Sequence, residues 1–185
     1  LVPPDGEAVV QDWDVACVSI AYPTRTLGFW KTHTNDTLAA FALLGSNFTI
    51  GCDSCTKIID SPEALFAALY AGNSFESDGT TPREDYEQAR ILLVKQMIPA
   101  ILNVAMFGSY GTETDLIALA NGTYCSLSNS TVMTYHDQLD DFNNSGDLVN
   151  VPGFPTGSAT PDASQAYADA GMWYWDDTCS SDPRP

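Results

Sequence analysis

One long segment constrains the fold of this chain more than any other feature. It covers residues 81–108 and reads TPREDYEQARILLVKQMIPAILNVAMFG. A proline near the first turn, acidic residues just after it and a glycine at the end are common boundaries of an α-helix. From Ile91 onward the segment is apolar almost all round, so we predict a central helix that other elements bury on every side. Pro99 has no amide hydrogen to donate, which predicts a kink at that point.

Shorter segments on both sides also have helical boundaries. Residues 35–45 begin at potential cap residues and stop at a glycine, and residues 61–72 begin with Ser-Pro and end with Ala-Gly. Further helices are predicted near residues 113–120, 130–142 and 162–170. Residues 7–22 are instead rich in Val, Ile, Trp and Tyr and alternate in part, which predicts one or two strands.

We therefore predict one mainly α domain built around a buried central helix. Residues 1–23 are an N-terminal strand segment that could serve as an assembly arm, and residues 24–148 are the helical core. Residues 149–185 are an extended tail, rich in Pro and Gly at its start. The tail carries the aromatic sequence GMWYWDD, and burial of its rings would dock the tail back on the core.

Five cysteines bear on compartment and on metal binding: Cys17, Cys52, Cys55, Cys125 and Cys179. Cys52 and Cys55 have the CxxC spacing of thioredoxin-like sites and zinc knuckles. The surrounding sequence has no βαβ pattern, however, and two further zinc ligands are not near in sequence. In an exported chain the default is disulfide bonds, with one thiol left over. The sequence leaves the pairing open, although a bridge from Cys17 to Cys179 would clamp the two ends.

Asparagine sequons point to export. Five of the nine asparagines begin N-x-[ST], whereas the Ser and Thr content predicts roughly 1.6 such matches by chance. We therefore expect a secreted or cell-surface glycoprotein with N-linked glycans. The candidate positions are Asn35, Asn47, Asn121, Asn129 and Asn143.

The charge distribution excludes some partners. The formal net charge is −17, and no Lys or Arg occurs between Lys95 and Arg184. Such a chain repels phosphates, so we expect no nucleic-acid partner and no attraction to anionic membranes. The apolar run 91–107 is short and interrupted by polar residues, so no membrane insertion is expected either. No signal peptide stands at Leu1, so export predicts prior processing or an upstream segment.

Four motifs occur in a fixed order along the chain. They are TRTLGFWKTHT, the central segment ending AILNVAMFG, QLDDFNNSGD, and a closing GSATP followed by WYWDD. In this order they resemble a family of secreted, largely uncharacterised microbial domains with the pattern T-R-T-x-G-[FY]-W-x-T-H, A-x-L-N-x-A-x-F-G, F-N-N-S-G-D and G-S-A-T-P. The resemblance covers about residues 24–177. The resemblance implies an extracellular domain, often a module of larger surface proteins. It does not assign a catalytic activity to the chain. The sequon density and the N-terminal stretch depart from the family pattern.

The first of these motifs contains the best candidate for chemistry. His33 could act as a general base or metal ligand, with Lys31 nearby. The sequence shows no nucleophile motif at a recognisable spacing from it. The structural interpretation is favoured: Phe29 and Trp30 bury against the central helix, and Lys31 and His33 offer donors to carbonyls at helix ends.

The third motif has part of the spacing of a calcium loop. Asp141, Asn143, Ser145 and Asp147 alternate around a glycine, as the ligands of such a loop do. The last position of the loop would be Pro152 where a glutamate is wanted, and a glycan on Asn143 would compete with a metal. A glycine-containing helix end explains the same residues.

Other acidic and aromatic residues carry weaker signals. The acidic pairs at 140–141 and 176–177 could suggest glycoside hydrolysis, and the four tryptophans could suggest a sugar-binding platform. In a chain this acidic, adjacent carboxylates are expected, and tryptophans more often anchor a core.

These observations favour a non-catalytic, secreted structural glycoprotein. Because a lone strand segment needs a partner edge, we expect copies of this chain to associate, as subunits of an extracellular fibril or surface layer. One alternative is a calcium- or carbohydrate-binding adhesion module. A second alternative is a secreted hydrolase that uses His33 or an acidic pair.

Overall fold

The structure is a computed structural model that describes residues 23–52, 55–108, 111–126, 128–147, 149–151 and 157–179. The predicted N-terminal strands, with Cys17 and Trp13, lie outside the described residues. Within them the chain is mainly α, as predicted. The elements are α1 (Leu27–Thr32), α2 (Thr34–Leu43), β1 (Phe48–Ile50), β2 (Lys57–Ile59), α3 (Pro62–Tyr70), α4 (Asp85–Phe107), α5 (Thr112–Thr123), α6 (Asn129–Ser145), α7 (Pro161–Gly171) and a 3-10 helix (Met172–Trp175).

Helix α4 is the predicted central helix, and it packs against α1, α2, α3, α5 and α6. It begins later than the Thr81-Pro82 signal suggested. Glu84 is the N-cap, and its side chain and that of Glu87 form a reciprocal capping box with the backbone. Pro82 instead pairs with Phe75 in an isolated antiparallel bridge. The helix continues through Pro99 to Phe107.

By length and composition alone, α4 is apolar enough to span a membrane, contrary to the sequence-based expectation. It has 23 residues, and 61% of its most apolar window is buried inside the domain. A helix surrounded by other helices needs apolar residues on all sides, so packing within the domain accounts for this composition.

Helix α1 and a short β-hairpin near the N-terminal end of the core were not predicted. The TRTLGFWKTH motif forms the short helix α1. Thr26 is the N-cap of this helix, and its side chain accepts a hydrogen bond from the Phe29 amide. Helix α2 then starts directly after His33. Further on, β1 and β2 form an antiparallel hairpin in which Phe48 faces Ile59. Strands of three residues are too short to show a period in the sequence.

The tail contains the helix that was predicted near residues 162–170, and this helix lies where the tail docks on the core. Helix α7 packs along α3, and the 3-10 helix follows it. Gly171 allows this close approach, because a Cβ there would lie 2.4 Å from the Glu63 carbonyl oxygen. Trp175 is fully buried and its indole nitrogen donates to the Ala64 carbonyl. The predicted docking helix therefore exists, and tight packing against α3 holds it.

Two disulfide bonds join distant parts of the chain. Cys52 pairs with Cys125, and Cys55 pairs with Cys179. The suggested bridge between Cys17 and Cys179 is therefore wrong, because Cys55 occupies Cys179. The two cysteines of the CxxC sequence bind different partners, so the hairpin is fastened both to the end of α5 and to the tail.

Candidate functional site

Polar and aromatic residues of the first three motifs meet in one place, where α1, α4 and the end of α6 come together. We call this region the motif junction; its members are Thr24, Arg25, Trp30, Gln96, Asn103 and Asn143. All six are buried. The sequence separates them by up to 119 positions, so tertiary packing alone brings them together.

Asn103 lies at the centre of the motif junction and uses its whole side-chain amide. Its Oδ1 accepts from the Arg25 amide at 2.7 Å and from Trp30 Nε1 at 3.1 Å. Its Nδ2 donates to the Arg25 carbonyl at 2.9 Å and to Asn143 Oδ1 at 3.0 Å. Asn103 thus pairs with the Arg25 backbone as a neighbouring strand would, and fastens the chain before α1 to the central helix.

Asn143 continues the network on the other side. Its Nδ2 donates to the backbone carbonyl of Gln96 at 2.9 Å and to Oε1 of the same residue at 3.1 Å. Its carbonyl accepts from Thr24 Oγ1 at 2.9 Å, and the same hydroxyl oxygen accepts from the Gly146 amide. These buried groups therefore have partners inside the protein, as buried polar groups require.

The guanidinium group of Arg25 lies at the edge of the motif junction and contacts several segments. The guanidinium donates to the carbonyls of Thr24, Asp147 and Val149 at 2.7 to 3.4 Å. It also lies 5.6 Å from the Phe29 ring centroid and 5.5 Å from that of Phe107. A guanidinium between two rings and several carbonyls binds the end of α6 to α1 and α4.

The structural motif residues of the first segment lie around this junction. Trp30 is fully buried, whereas Phe29 is only half-buried. The His33 ring stacks on Phe29 with centroids 4.0 Å apart, and its Nδ1 lies 3.0 Å from the Phe29 carbonyl at the end of α1. Lys31 places its ammonium 4.1 Å above the Tyr70 ring. His33 therefore contacts a helix-end carbonyl as expected, while Lys31 contacts an aromatic ring.

The calcium-loop arrangement is not formed. Asp141 and Ser145 lie on one exposed face of α6, while Asn143 lies on the opposite face and points into the core. Asp147 follows beyond the helix, and its carbonyl accepts from Arg25. A helix separates alternate residues that an extended loop would align. Among the described residues, no three His, Cys, Asp or Glu side chains cluster as a metal site.

The five sequon asparagines differ in access. Asn35, Asn47 and Asn129 are exposed. Asn121 is half-buried and pairs with the Gly51 backbone through both amide atoms, at 2.7 and 3.3 Å. Asn143 is fully buried, and both hydrogens of its Nδ2, the atom that would carry a glycan, are donated to Gln96. This fold has no room for a glycan on Asn143.

A second set of contacts explains the GSATP motif, which sequence reasoning left unassigned. The Thr160 amide donates to the Thr32 carbonyl at 2.7 Å. Thr34 Oγ1 lies 2.7 Å from both Thr160 Oγ1 and Ser164 Oγ. These hydroxyls join the start of α7 to the turn between α1 and α2, so the fourth motif also serves to connect segments.

The sequence analysis also did not predict that several Lys and Arg side chains are buried, although the small number of these residues was a signal that they could have structural roles. Lys57 is fully buried and donates to the Tyr174 carbonyl at 3.0 Å. Arg83 donates to the carbonyls of Gly72, Phe75 and Asp176, and lies 3.8 Å from the Asp176 carboxylate.

Two further cations hold helix ends. Arg90 Nε donates to the carbonyl of Tyr124 at the end of α5, at 2.8 Å. Lys95 donates to the Ala71 carbonyl and to Asn73 at the end of α3. Burial, followed by the nearby charge of Lys31, lowers the pKa of Lys95.

The described tryptophans differ in exposure, and the two acidic pairs lie on different segments. Trp30 and Trp175 are fully buried, whereas Trp173 is 43% exposed. Asp140 and Asp141 lie on α6, far along the chain from Asp176, which binds Ser77 and Arg83. The described tryptophans therefore serve mainly as core anchors, with Trp173 the exception.

No protein-family model matches this chain, and no curated protein or solved structure matches it either. The resemblance drawn from the four motifs therefore remains a prediction.

Proposed function

We propose that this protein is a non-catalytic, secreted structural glycoprotein whose copies associate into an extracellular fibril or surface layer. The observation that carries the proposal is the motif junction. Its polar side chains are buried and directed at one another and at the backbone, where substrate has no access. Polar residues of these types can serve in catalytic sites, but in the motif junction they connect separate segments of the chain.

Cysteine pairing supports association between copies. Four of the five cysteines pair with one another in two disulfides. Cys17 then has no cysteine left to pair with in these 185 residues. In an oxidising exterior such a cysteine is available for a bond to a second chain. It lies in the same strand-prone segment whose sequence favours pairing with a neighbour.

The exposed sequons support the extracellular part of the proposal. Asn35, Asn47 and Asn129 are on the surface, where glycans can be carried without disturbing the core. The two disulfides are also typical of an oxidising compartment.

The secreted-hydrolase alternative has less support. The His33 ring stacks on Phe29, and its Nδ1 contacts the Phe29 carbonyl and the Thr32 hydroxyl. The Thr32 hydroxyl donates its proton to the Gly28 carbonyl at 2.8 Å rather than to His33, and neither contact is a carboxylate that would orient a catalytic histidine.

Association is tested with the whole 185-residue chain. Sedimentation and negative-stain electron microscopy across a concentration series should show oligomers or filaments. Cys17→Ser should remove the covalent part of the assembly, as judged by non-reducing electrophoresis. A Val9→Pro/Val18→Pro variant, which prevents strand pairing in the predicted arm, should remove the remainder.

The matched control is Val2→Pro, which lies in the Pro-rich start ahead of the predicted strands and should leave assembly intact. The Tm of every variant should equal that of the parent chain. A parent chain that stays monomeric at high concentration would refute the proposal.

A further inference from the structure

A pocket of about 270 Å³ lies between the start of α3 and the end of α7, away from the motif junction. Its lining includes Ser61, Glu63, Gly171, Trp173 and Tyr174. Unlike the buried residues of the junction, this pocket faces solvent through Trp173, which is 43% exposed. A concave apolar site with a few polar groups is the usual form of a ligand site.

The indole of Trp173 is held in position although it is exposed. Its Nε1 donates to the Ala170 carbonyl at 3.2 Å. Its ring is nearly perpendicular to that of Tyr174, with centroids 6.0 Å apart and planes at 85°. Two rings at a right angle form a corner rather than a flat platform. A ring fixed before a ligand arrives loses little conformational entropy on binding.

Glu63 supplies a carboxylate without a partner. It is half-buried in the first turn of α3, and within the described residues nothing donates a hydrogen bond or an ion pair to its carboxylate. The positive end of the α3 dipole stabilises the negative charge of Glu63, but this interaction does not occupy either carboxylate oxygen.

Among the described residues, no Lys or Arg forms an ion pair with this carboxylate. Lys57 contacts the pocket lining at Tyr174, where its ammonium donates to the carbonyl at 3.0 Å and lies 4.7 Å from the ring centroid. Arg25, Arg83 and Arg90 are buried and donate to backbone carbonyls. Lys31 and Lys95 lie at Tyr70 and Ala71, the opposite end of α3, roughly 10 Å along the helix at 1.5 Å per residue. Within the part of the chain that the structure describes, this carboxylate therefore has no ion-pair partner.

We propose that the Glu63–Trp173 pocket binds an ammonium or guanidinium group. A fixed indole attracts a cation through the face of its ring, and the carboxylate of Glu63, which lines the same pocket, supplies the opposite charge. The end of α7, at Gly171, adds the partial negative charge of a helix C-terminus. The positive end of α3 opposes this, but its half charge is smaller than the full charge of Glu63, and Ser61 caps the Ala64 amide. The cation could be carried by a small amine or by a lysine or arginine side chain.

The experiment follows the Trp173 indole N–H by NMR, with the resonance assigned through Trp173→Phe. Choline chloride is titrated in parallel with its uncharged carbon analogue 3,3-dimethylbutan-1-ol. Methyl glucoside tests a neutral sugar, and the peptide Gly-Lys-Gly tests a side-chain source. Potassium chloride at matched concentration controls for ionic strength.

We expect saturable shifts with choline, and saturation by the lysine peptide at lower concentration would identify a side chain as the better source. Glu63→Gln should weaken choline binding about tenfold, which corresponds to about 1.4 kcal/mol. Asp141→Asn, which removes an exposed carboxylate on α6, should not change it. Trp173→Leu lacks the reporter resonance, so its binding is followed through the Gly171 backbone amide, which is also followed in the parent chain. It should bind choline more weakly without a lower Tm, and Phe75→Leu is the matched control for loss of an exposed ring.

Three outcomes would overturn the proposal. The first is equal affinity for choline and its uncharged analogue, and the second is binding of methyl glucoside alone, which would make this a neutral sugar site. The third is the absence of a saturable shift with either cation up to about 50 mM, which is enough to detect a millimolar Kd. If Glu63→Gln lowers Tm, the comparison of choline with its uncharged analogue on the parent chain still decides.

Discussion

The side-chain amides of Asn103 and Asn143 meet inside the domain, where Asn103 Nδ2 donates to Asn143 Oδ1 at 3.0 Å. These two residues lie on the central helix α4 and on α6, and each also holds a second segment in place. Asparagine suits this position because its amide offers donors and an acceptor in one plane, matching the backbone groups around it. The consequences of this contact for stability and for glycosylation can both be measured.

Replacing Asn103 should destabilise the domain strongly. Asn103→Leu would leave the amide and carbonyl of Arg25, the Trp30 indole nitrogen and Asn143 Oδ1 without their partner. Because each buried unpaired group costs about 1–3 kcal/mol, we expect a loss of about 3 kcal/mol or more in the free energy of unfolding. Urea denaturation measures this, with Asn144→Ala as an exposed control that should change it by about 0.5 kcal/mol or less. Equal effects of the two variants would contradict the role of the junction.

Glycan occupancy should follow access rather than sequon number. In protein made by a glycosylating host, peptide mapping by mass spectrometry should find glycan on Asn35, Asn47 and Asn129 and none on Asn143. Ser145→Ala removes the Asn143 sequon but keeps the asparagine, so neither glycan mass nor stability should change. A glycan found on Asn143 in folded protein would show that the buried network is wrong.

Disulfide mapping should recover two long-range pairs. Non-reducing digestion is expected to yield peptides joined through Cys52–Cys125 and Cys55–Cys179, and no bridge within the CxxC sequence. The pairs span 73 and 124 positions, so loss of either one should destabilise the domain by about 4 kcal/mol in the chain-entropy account. Double serine variants of each pair, compared by thermal unfolding, provide the measurement.

Two glycine substitutions should act in opposite directions. Gly171→Ala places a methyl group 2.4 Å from the Glu63 carbonyl oxygen, which forces α7 away from α3 and should cost about 2 kcal/mol or more. Gly122→Ala, on α5 with nothing within 4 Å, should be neutral or stabilise by up to about 1 kcal/mol through helix propensity. Thermal unfolding of both variants tests whether the tail packs as described, and a neutral Gly171→Ala would argue that it does not.

The loop before α4 should resist acid. The Thr81 hydroxyl and amide, and the Thr80 amide, donate to the Asp78 carboxylate and hold its pKa well below the usual range. A lowered pKa means that the loop contacts are complete above the ordinary aspartate value of about 3.9 and are lost only as pH falls further. NMR of the two threonine amides should therefore show a transition below that pH, and Asp78→Asn should abolish it. A midpoint at the ordinary value would contradict the hydrogen-bonding pattern.

The helical class and most helix positions could be predicted from local patterns of residues. The apolar run after Ile91 can be satisfied only by a helix with neighbours on all sides, and Ser61 with Pro62 marks the start of α3 through local hydrogen bonding and a preset backbone angle. These are short-range effects, so they are readable from short-range patterns. The three-residue strands and α1 were missed because segments that short show too little of a period.

Which distant residues contact one another could not be predicted from these patterns. Nothing near Asn143 in sequence indicates that Gln96, Asn103 and Thr24 will surround it, so its sequon and calcium-loop spacing looked like a surface feature. The same holds for Cys55, whose partner is 124 positions away, and for Glu63, which Trp173 joins only when α7 packs on α3. Burial and long-range hydrogen bonding depend on how helices pack, and packing is a property of the whole chain rather than of any local pattern.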